Sequence, residues 1–262
     1  MVEPWHGLST WGAITRRVAD SARFYDAIRD GGESFADAAA RGLGPHPPRL
    51  RIAITSNVPP VMATRPDAEQ LGALQGTTDL LRSLGHEVVE RDFPWGPVFG
   101  NFLARYLRGV HDEAAKMPHP ERFSRRTRGY MRMGGLIPDA VLARARSEEA
   151  KDRERANRIF ADDGFDLVVM PLMARRPPKV MYHDGHNAFW TLNSNGRWLP
   201  YPPVFNHTGQ PAAAVPAGFT GDGFPLTVQL VAPPDGEGVL LSLAAQLERE
   251  RDWPAHTPPA TP

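Results

Sequence analysis

The sequence predicts an α/β fold. Short segments with strand-like patterns alternate along the chain with longer segments of helical periodicity, which is typical of a sheet covered by helices. A continuous apolar run at 167–170 (L-V-V-M) predicts a strand that is buried on both faces. Nearer the C-terminus, two strand-like segments enclose a Gly-Asp-Gly loop at 221–223, which predicts a hairpin.

The first third of the chain predicts a helix followed by a strand–helix–strand unit. Residues 15–28 have helical periodicity and begin with a threonine that can cap the first turn. A Gly/Pro-rich linker at 42–48 leads to an alternating strand at 50–54. A T-x-x-D start at 64–67 then predicts a helix that ends at Gly85, and 86–90 predicts a strand beside the first one.

The middle of the chain has weaker signals. One helix near 101–116 is predicted within the Arg- and aromatic-rich stretch 93–137. Residues 138–160 predict one long helix whose charged side chains, including Glu-to-Arg pairs four residues apart, form a solvated face without a function of their own. The strand at 167–170 stops at Pro171, and 175–203 is predicted to be a loop.

The C-terminal quarter predicts a turn, a hairpin and a final helix. A polar turn at 206–210 precedes a small-residue strand at 212–215. The returning strand alternates Leu226, Val228 and Leu230 with polar residues, which predicts one buried face. Asp235 can cap a helix with apolar positions through Leu247.

Composition excludes several classes of protein. The 262 residues carry 30 basic and 30 acidic side chains, so the chain lacks the basic excess expected of a nucleic-acid-binding protein. The absence of Cys excludes disulfides, thiolate catalysis and thiolate metal sites. No signal-peptide pattern and no apolar run of bilayer length occur, so no membrane association is expected and the expected location is cytoplasmic.

Six separated runs resemble the amidase signature family. Four lie near the C-terminus, and they read N-H-T-G-Q-P-A (206–212), V-P-A-G-F (215–219), G-F-P-L-T-V-Q-L-V (223–231) and G-E-G-V-L-L (236–241). The others are G-A-I-T-R-R-V-A-D-S-A-R-F-Y-D (12–26) and F-D-L-V-V-M-P (165–171). The resemblance covers nearly the whole chain but only the later part of the family's domain. It implies that residues 1–262 are the C-terminal part of a single amidase-type domain, with a mixed β-sheet flanked by helices on both sides and incomplete at its N-terminal side.

The same resemblance implies hydrolysis of a carboxylic amide to an acid and ammonia or an amine, without a cofactor. The family's catalytic residues are two serines and a lysine, the second serine within a Gly/Ser-rich run. That run is missing here, and Lys116, Lys151 and Lys179 do not occupy the family's lysine context. No catalytic residue can therefore be assigned, and this chain alone is expected to be inactive because the covalent step needs its nucleophile.

The candidate substrate-binding residues are Asn206, Gln210 and Trp190. Asn and Gln beside a glycine commonly fix backbone through hydrogen bonds, which is the structural interpretation of the first two. In the family this segment lies near the catalytic centre, so a pocket-lining role is the alternative. The aromatic side chains of 175–203, Trp190 among them, would suit an apolar or aromatic acyl group. The His-Asp-Gly-His run at 183–186 resembles a metal site but lacks a clear third ligand, which favours a polar loop.

Three alternatives for the role of the chain remain open. It is a part of an amidase, a non-catalytic binding or scaffold module derived from one, or half of a split amidase or amidotransferase subunit. Because Met1 falls inside the family's domain, the sheet is expected to lack strands and to expose an edge and an apolar face. Poor solubility, self-association or assembly with a complementing N-terminal amidase segment is therefore expected.

Overall fold

A computed structural model describes residues 4–256. Within these residues, five strands form one mixed sheet in the order β2-β1-β3-β5-β4. The strands are β1 (Arg51–Ile54), β2 (Glu87–Glu90), β3 (Leu167–Pro171), β4 (Ala212–Phe219) and β5 (Pro225–Val231). β1 is parallel to both β2 and β3, whereas β3–β5 and β5–β4 are antiparallel pairs. The predicted α/β class, mixed sheet and C-terminal hairpin are confirmed.

Ten α-helices accompany the sheet in the described part of the chain. They are α1 (Val18–Ile28), α2 (Phe35–Leu43), α3 (Ala68–Ser83), α4 (Val98–Ala115), α5 (Arg125–Gly135), α6 (Asp139–Ser147), α7 (Glu149–Ala161), α8 (Ala188–Asn195), α9 (Pro202–Thr208) and α10 (Glu237–Arg251). Within 4–256, none of them is both long enough and apolar enough to cross a bilayer.

The two faces of the sheet carry separate apolar cores. Alternation along β1 sends Ile52 and Ile54 to the first core and Ala53 to the second. The first core packs against α1, α2, α3 and α10, and the second against α7, α9 and the start of α4. Every residue of β3 is buried, as its continuous apolar run predicts. Helices therefore cover both sides of the sheet, as expected.

Several predicted boundaries were wrong because tertiary contacts set the helix starts. α3 is capped by Asp67, whose Oδ1 accepts from the Gln70 amide at 3.0 Å, and Thr64 instead bonds the Arg197 carbonyl. α1 starts at Val18, whose N–H donates to the Glu248 carboxylate at 2.6 Å.

Other corrections concern whole elements. The predicted long helix at 138–160 is two helices that meet at Glu148, and the unassigned stretch contains α5. The predicted loop at 175–203 contains α8, and the predicted turn at 206–210 contains the end of α9. β5 is buried on both faces from Val228 onward, since it lies between β3 and β4 rather than on a half-exposed sheet.

Candidate functional site

Helix α9 positions the residues of the family-like run N-H-T-G-Q. Pro202 is its first residue, where a missing N–H costs nothing, and Gly209 ends it with a left-handed φ of 77°. In the last turn Asn206 is exposed and His207 is buried, and Gln210, just beyond Gly209, is buried as well. One short helix thus presents an amide to the surface and an imidazole to the interior.

His207 lies in a buried polar network with a defined proton arrangement. Its Nδ1 is 2.9 Å from Arg105 Nη1, and its Nε2 is 2.9 Å from Asp152 Oδ2. A guanidinium can only donate hydrogen bonds, so Nδ1 accepts and Nε2–H donates to the carboxylate. Burial, with a contribution from Arg105, lowers the pKa of His207, although Asp152 acts in the opposite direction. His207 is therefore a neutral imidazole with both nitrogens occupied, and it has no free nitrogen with which to accept a substrate proton.

The same network joins elements that are distant in sequence. Arg105 on α4 donates to the His6 carbonyl through Nε at 3.0 Å and pairs with Glu149 on α7 at 2.9 Å. Asp152 also accepts from Asn101 and Arg155, each at 2.8 Å. The network ties α4, α7 and α9 to the turn at Pro4–Gly7, where residues 5 and 6 have left-handed φ of 54° and 55°. Non-glycine residues keep a left-handed backbone conformation only where surrounding contacts stabilise it.

Asp152 is an exception to the prediction that the charges of this helix mostly form a solvated face. The Glu149–Arg153 pair does form, at 2.5 Å, but Asp152 is 3% exposed. The sequence held a signal for it, because Asp152 shares the inward face with Ala156, Ile159 and Phe160 at helical spacing. Sequence reasoning missed Arg105, His207 and Asp152, which lie up to 102 positions apart.

Acidification is expected to destabilise the protein below about pH 6.5, the ordinary pKa of histidine. Burial lowers the pKa of both His207 and His86 in the folded state. Well above pH 6.5 both histidines are neutral whether the chain is folded or unfolded. Below it, the unfolded chain binds protons that the folded chain does not, so the free energy of unfolding falls by at most about 1.4 kcal/mol per pH unit for each histidine.

Urea unfolding at pH 7.5, 6.5 and 5.5 measures this effect. His207→Gln is expected to flatten the dependence, and His46→Gln, which removes an exposed imidazole, is expected to preserve it. A free energy of unfolding that stays constant between pH 7.5 and 5.5 would contradict the assignment of a neutral His207.

The side chains of Asn206 and Gln210 both donate hydrogen bonds to backbone carbonyl groups. Asn206 Nδ2 donates to the Leu8 carbonyl at 3.0 Å. Gln210 Nε2 donates to Asn157 Oδ1 at 2.8 Å and to the Arg153 carbonyl at 3.3 Å. The Oε1 atom of Gln210 is buried and has no hydrogen-bond partner among residues 4–256. These are the contacts that the structural interpretation expects, and a pocket-lining role for the two residues stays a prediction.

Trp190 belongs to a different cluster, formed by aromatic rings of 182–198. The His186 ring stacks on Trp190 with centroids 3.5 Å apart, and Tyr182 lies 5.6 Å from Trp190 and 5.2 Å from Trp198. Helix α8 places Trp190 because Asn187 caps its first turn. His183 and His186, the two histidines of the metal-like run, both contact Trp190. In the described part of the chain, no group of three or more potential ligands lies close enough to hold a metal.

The fold and the sequence together define the class of this protein. The family model described as Amidase matches residues 2–241, and the chain belongs to that family. It is 41% identical over 261 residues to "Putative amidase AmiB2" of Mycobacterium tuberculosis, covering 98% of this chain and 55% of AmiB2. It is 34% identical over 267 residues to "Putative amidase AmiA2" of the same organism, covering 98% of this chain and 54% of AmiA2. The chain therefore spans about half the length of these curated relatives.

Solved structures share the fold at low sequence identity. The structure of 6-aminohexanoate cyclic dimer hydrolase is similar with a TM-score of 0.79 and 22% identity, covering 92% of this chain and 55% of the hydrolase. A bacterial aryl acylamidase of the amidase signature family is similar with a TM-score of 0.70 and 19% identity, covering 95% of this chain and 55% of the acylamidase. The amidase signature fold expected from the sequence is confirmed for the portion present here.

Proposed function

We propose that this chain is the C-terminal part of an amidase domain that hydrolyses a carboxylic amide to a carboxylic acid and ammonia or an amine. Membership of the amidase family is the observation that carries the proposal. In the proposed reaction a serine attacks the amide carbonyl, the amine leaves with a proton, and water releases the acid. These steps need no cofactor, and we propose the cytoplasm as their location.

The nucleophile and its proton-handling lysine come, in this proposal, from amidase sequence outside residues 1–262. The lysines of this chain support that assignment. Lys116 and Lys151 are exposed and pair with glutamates three residues earlier, at 2.7 Å and 3.0 Å, and Lys179 is exposed. A lysine that exchanges protons with a serine must instead be desolvated beside it. Residues 1–262 alone are thus proposed to be inactive.

The contribution of this chain is a wall of the substrate pocket. We assign Asn206 and Gln210 to the polar part of that wall, because α9 holds Asn206 and the turn that ends α9 holds Gln210, both close in sequence to the buried His207. We assign Trp190 and its aromatic neighbours to the part that contacts the acyl group, since stacked rings offer a flat apolar surface.

The test compares the isolated chain with a chimera that joins it to the part of AmiB2 that the alignment leaves uncovered. Hydrolysis of aliphatic amides and aromatic anilides is followed by product release. We expect the isolated chain to show the background rate and the chimera to exceed it by at least about a thousandfold, since covalent catalysis is restored. The uncovered AmiB2 part alone is the control.

Two outcomes contradict parts of the proposal. Turnover by the isolated chain at an enzymatic rate would show that its nucleophile lies within residues 1–262. A folded chimera without activity on any amide would favour a non-catalytic module.

A further inference from the structure

Arg175 lies beside the aromatic cluster of residues 182–198 and has no counter-ion. Its Cζ is 5.8 Å from the centroid of the Trp198 ring, within the range of a cation–π contact. Its Nη2 donates to Thr64 Oγ1 at 3.0 Å, whereas its Nε is buried and has no hydrogen-bond partner within residues 4–256. No acid in this part of the chain forms an ion pair with it. A half-buried guanidinium with an uncompensated charge and an unused N–H is suited to bind an anion.

The next residue, Arg176, is fully paired. It donates through Nε to Glu69 Oε2 at 2.6 Å and through Nη1 to Asp222 Oδ2 at 2.8 Å. These carboxylates belong to α3 and to the loop between β4 and β5. Arg176 therefore ties its segment to two neighbouring elements and occupies both acids, while Arg175 faces the aromatic cluster without one.

Short hydrogen bonds hold Arg175 in a defined position. The preceding residue, Ala174, is fully buried, and its N–H donates to the Trp198 carbonyl at 2.9 Å. Thr64 Oγ1 donates to the Arg197 carbonyl at 3.1 Å, so its oxygen is left to accept from Arg175. A guanidinium fixed in this way loses little side-chain entropy when an anion binds to it.

A second buried polar atom borders the same ring. The His183 ring lies 6.1 Å from the Trp198 ring, and its Nε2 is buried without a hydrogen-bond partner in the described residues. Burial, followed by Arg126 and His186, lowers the pKa of His183, although Asp184 acts in the opposite direction. The imidazole is therefore neutral near pH 7, and its Nε2 can donate to a ligand oxygen. Two unpartnered polar atoms beside one ring indicate a place for a polar group of a ligand.

The charge around the cluster is positive. Arg126 of α5 donates to the His183 carbonyl at 3.2 Å, and Lys179 is exposed in the segment that carries Arg175. Neither Arg126 nor Lys179 forms an ion pair within residues 4–256. Asp184 is the one acidic residue between positions 175 and 198 of the sequence. A positive surplus of this kind attracts a negatively charged ligand.

We infer that Arg175 binds a carboxylate carried by the acyl group of the amide substrate. The inference rests on the proposed function, which assigns the aromatic cluster to the part of the pocket that contacts this group. A carboxylate matches the planar fork of a guanidinium and balances one unpaired charge. The rings of Trp190 and Trp198 contact the apolar body of the acyl group. The substrate class is thus the monoamide of a dicarboxylic acid, and Arg175 is the residue that selects it.

The first test measures binding to this chain. It compares 4-carbamoylbenzoate with 4-methylbenzamide, a neutral ligand with the same ring and the same amide. Because the chain is proposed to lack its nucleophile, both ligands stay intact during a titration followed by nuclear magnetic resonance. We expect 4-carbamoylbenzoate to bind at least about tenfold more tightly at physiological ionic strength. This comparison uses the wild-type chain and is independent of any effect of a substitution on folding.

Variants of Arg175 test which residue makes the distinction. Arg175→Gln is expected to reduce the preference for 4-carbamoylbenzoate to about twofold or less, and Arg175→Lys to retain part of it, since an ammonium keeps the charge without the planar fork. Arg125→Gln is the matched control, because it removes an equal charge at an exposed position on α5. Salt screens exposed charges, so the control is expected to change the preference by less than about twofold. Circular dichroism confirms that each variant is folded.

The second test measures turnover by the chimera with AmiB2. We expect its kcat/KM for 4-carbamoylbenzoate to exceed that for 4-methylbenzamide by at least about tenfold. Arg175→Gln in the chimera is expected to lower this ratio by at least about tenfold, chiefly by raising KM for the carboxylated amide, because the carboxylate is bound equally in the ground state and the transition state.

Equal binding of the two ligands by the wild-type chain, or a preference that Arg175→Gln leaves intact, would overturn the inference. A chimera that hydrolyses both amides without preferring the carboxylated one would overturn the carboxylate site and leave the proposed function standing. An inactive chimera, together with Arg175-dependent binding of 4-carbamoylbenzoate by this chain, would contradict the proposed function and support the carboxylate site.

Discussion

Asp152→Ala is expected to lower the free energy of unfolding by about 3–5 kcal/mol, because several donors lose a buried charged acceptor and each such hydrogen bond contributes about 1.5–3 kcal/mol. The carboxylate is 3% exposed and accepts from His207, Asn101 and Arg155. Without it these donors lose their acceptor inside the protein. The guanidinium of Arg105, 1% exposed, would keep only part of its surrounding negative charge. Urea unfolding monitored by circular dichroism measures the change.

Glu154→Ala is the matched control for this variant. Glu154 lies two residues further along α7 and is exposed, so its removal is expected to change stability by no more than about 0.5 kcal/mol. An effect of Asp152→Ala as small as that of Glu154→Ala would show that the buried network does not hold α4, α7 and α9 together.

Gly42→Ala is expected to destabilise the protein by about 1–3 kcal/mol or more, through overpacking between α2 and α10. A Cβ at this position would lie 2.1 Å from the Ser242 carbonyl oxygen and 2.9 Å from its carbonyl carbon. Both atoms are backbone in the middle of α10, so they cannot move aside as a flexible side chain could. The two helices would have to separate, which opens the first core.

Gly72→Ala is expected to raise the stability of the protein, whereas Gly42→Ala lowers it. A Cβ at Gly72, on the exposed side of α3, would meet no atom within 4 Å. Alanine there should stabilise the helix by about 0.5–1 kcal/mol, because glycine loses more backbone freedom on folding. Thermal unfolding of the two variants and the wild type shows whether each variant raises or lowers the midpoint temperature. Equal shifts of both variants in the same direction would contradict the close α2–α10 contact.

The elements that could be predicted from the sequence are those with a local signal. The run L-V-V-M predicts β3 because a strand buried on both faces needs no polar alternation. Gly85, with φ of 84°, marks the end of α3 as its position predicts. In both cases the chemistry that determines the structure lies within a few residues of the element.

The elements that were missed depend on contacts between distant segments. α5 reads R-R-T-R-G-Y-M-R-M-G-G and has no apolar stripe. It packs on α4 because Gly134 and Gly135 let the helices approach until a Cβ would touch the Leu107 carbonyl or the His111 ring. A local pattern cannot report such an approach. The break between α6 and α7 at Glu148 likewise has no glycine or proline beside it that would predict it.

The residues of the candidate site also fall into those that local sequence could predict and those that it could not. Asn206, Gln210 and Trp190 could be nominated from their segments, and their role as a pocket wall stays a prediction. The network of Arg105, Asp152 and His207 could not be assembled, because charged and polar side chains on three separate helices meet only in the fold. The carboxylate on the apolar face of α7 was its one visible sign in the sequence.

The most direct test of the account asks which serine becomes acylated or phosphonylated in an active amidase containing this chain. The chimera with AmiB2 is treated with a fluorophosphonate, which labels activated serines, and the labelled peptide is identified by mass spectrometry. We predict that the label lies on a serine of the AmiB2-derived part and that residues 1–262 remain unlabelled. Stoichiometric labelling of a serine within residues 1–262, with loss of amide hydrolysis, would contradict the account.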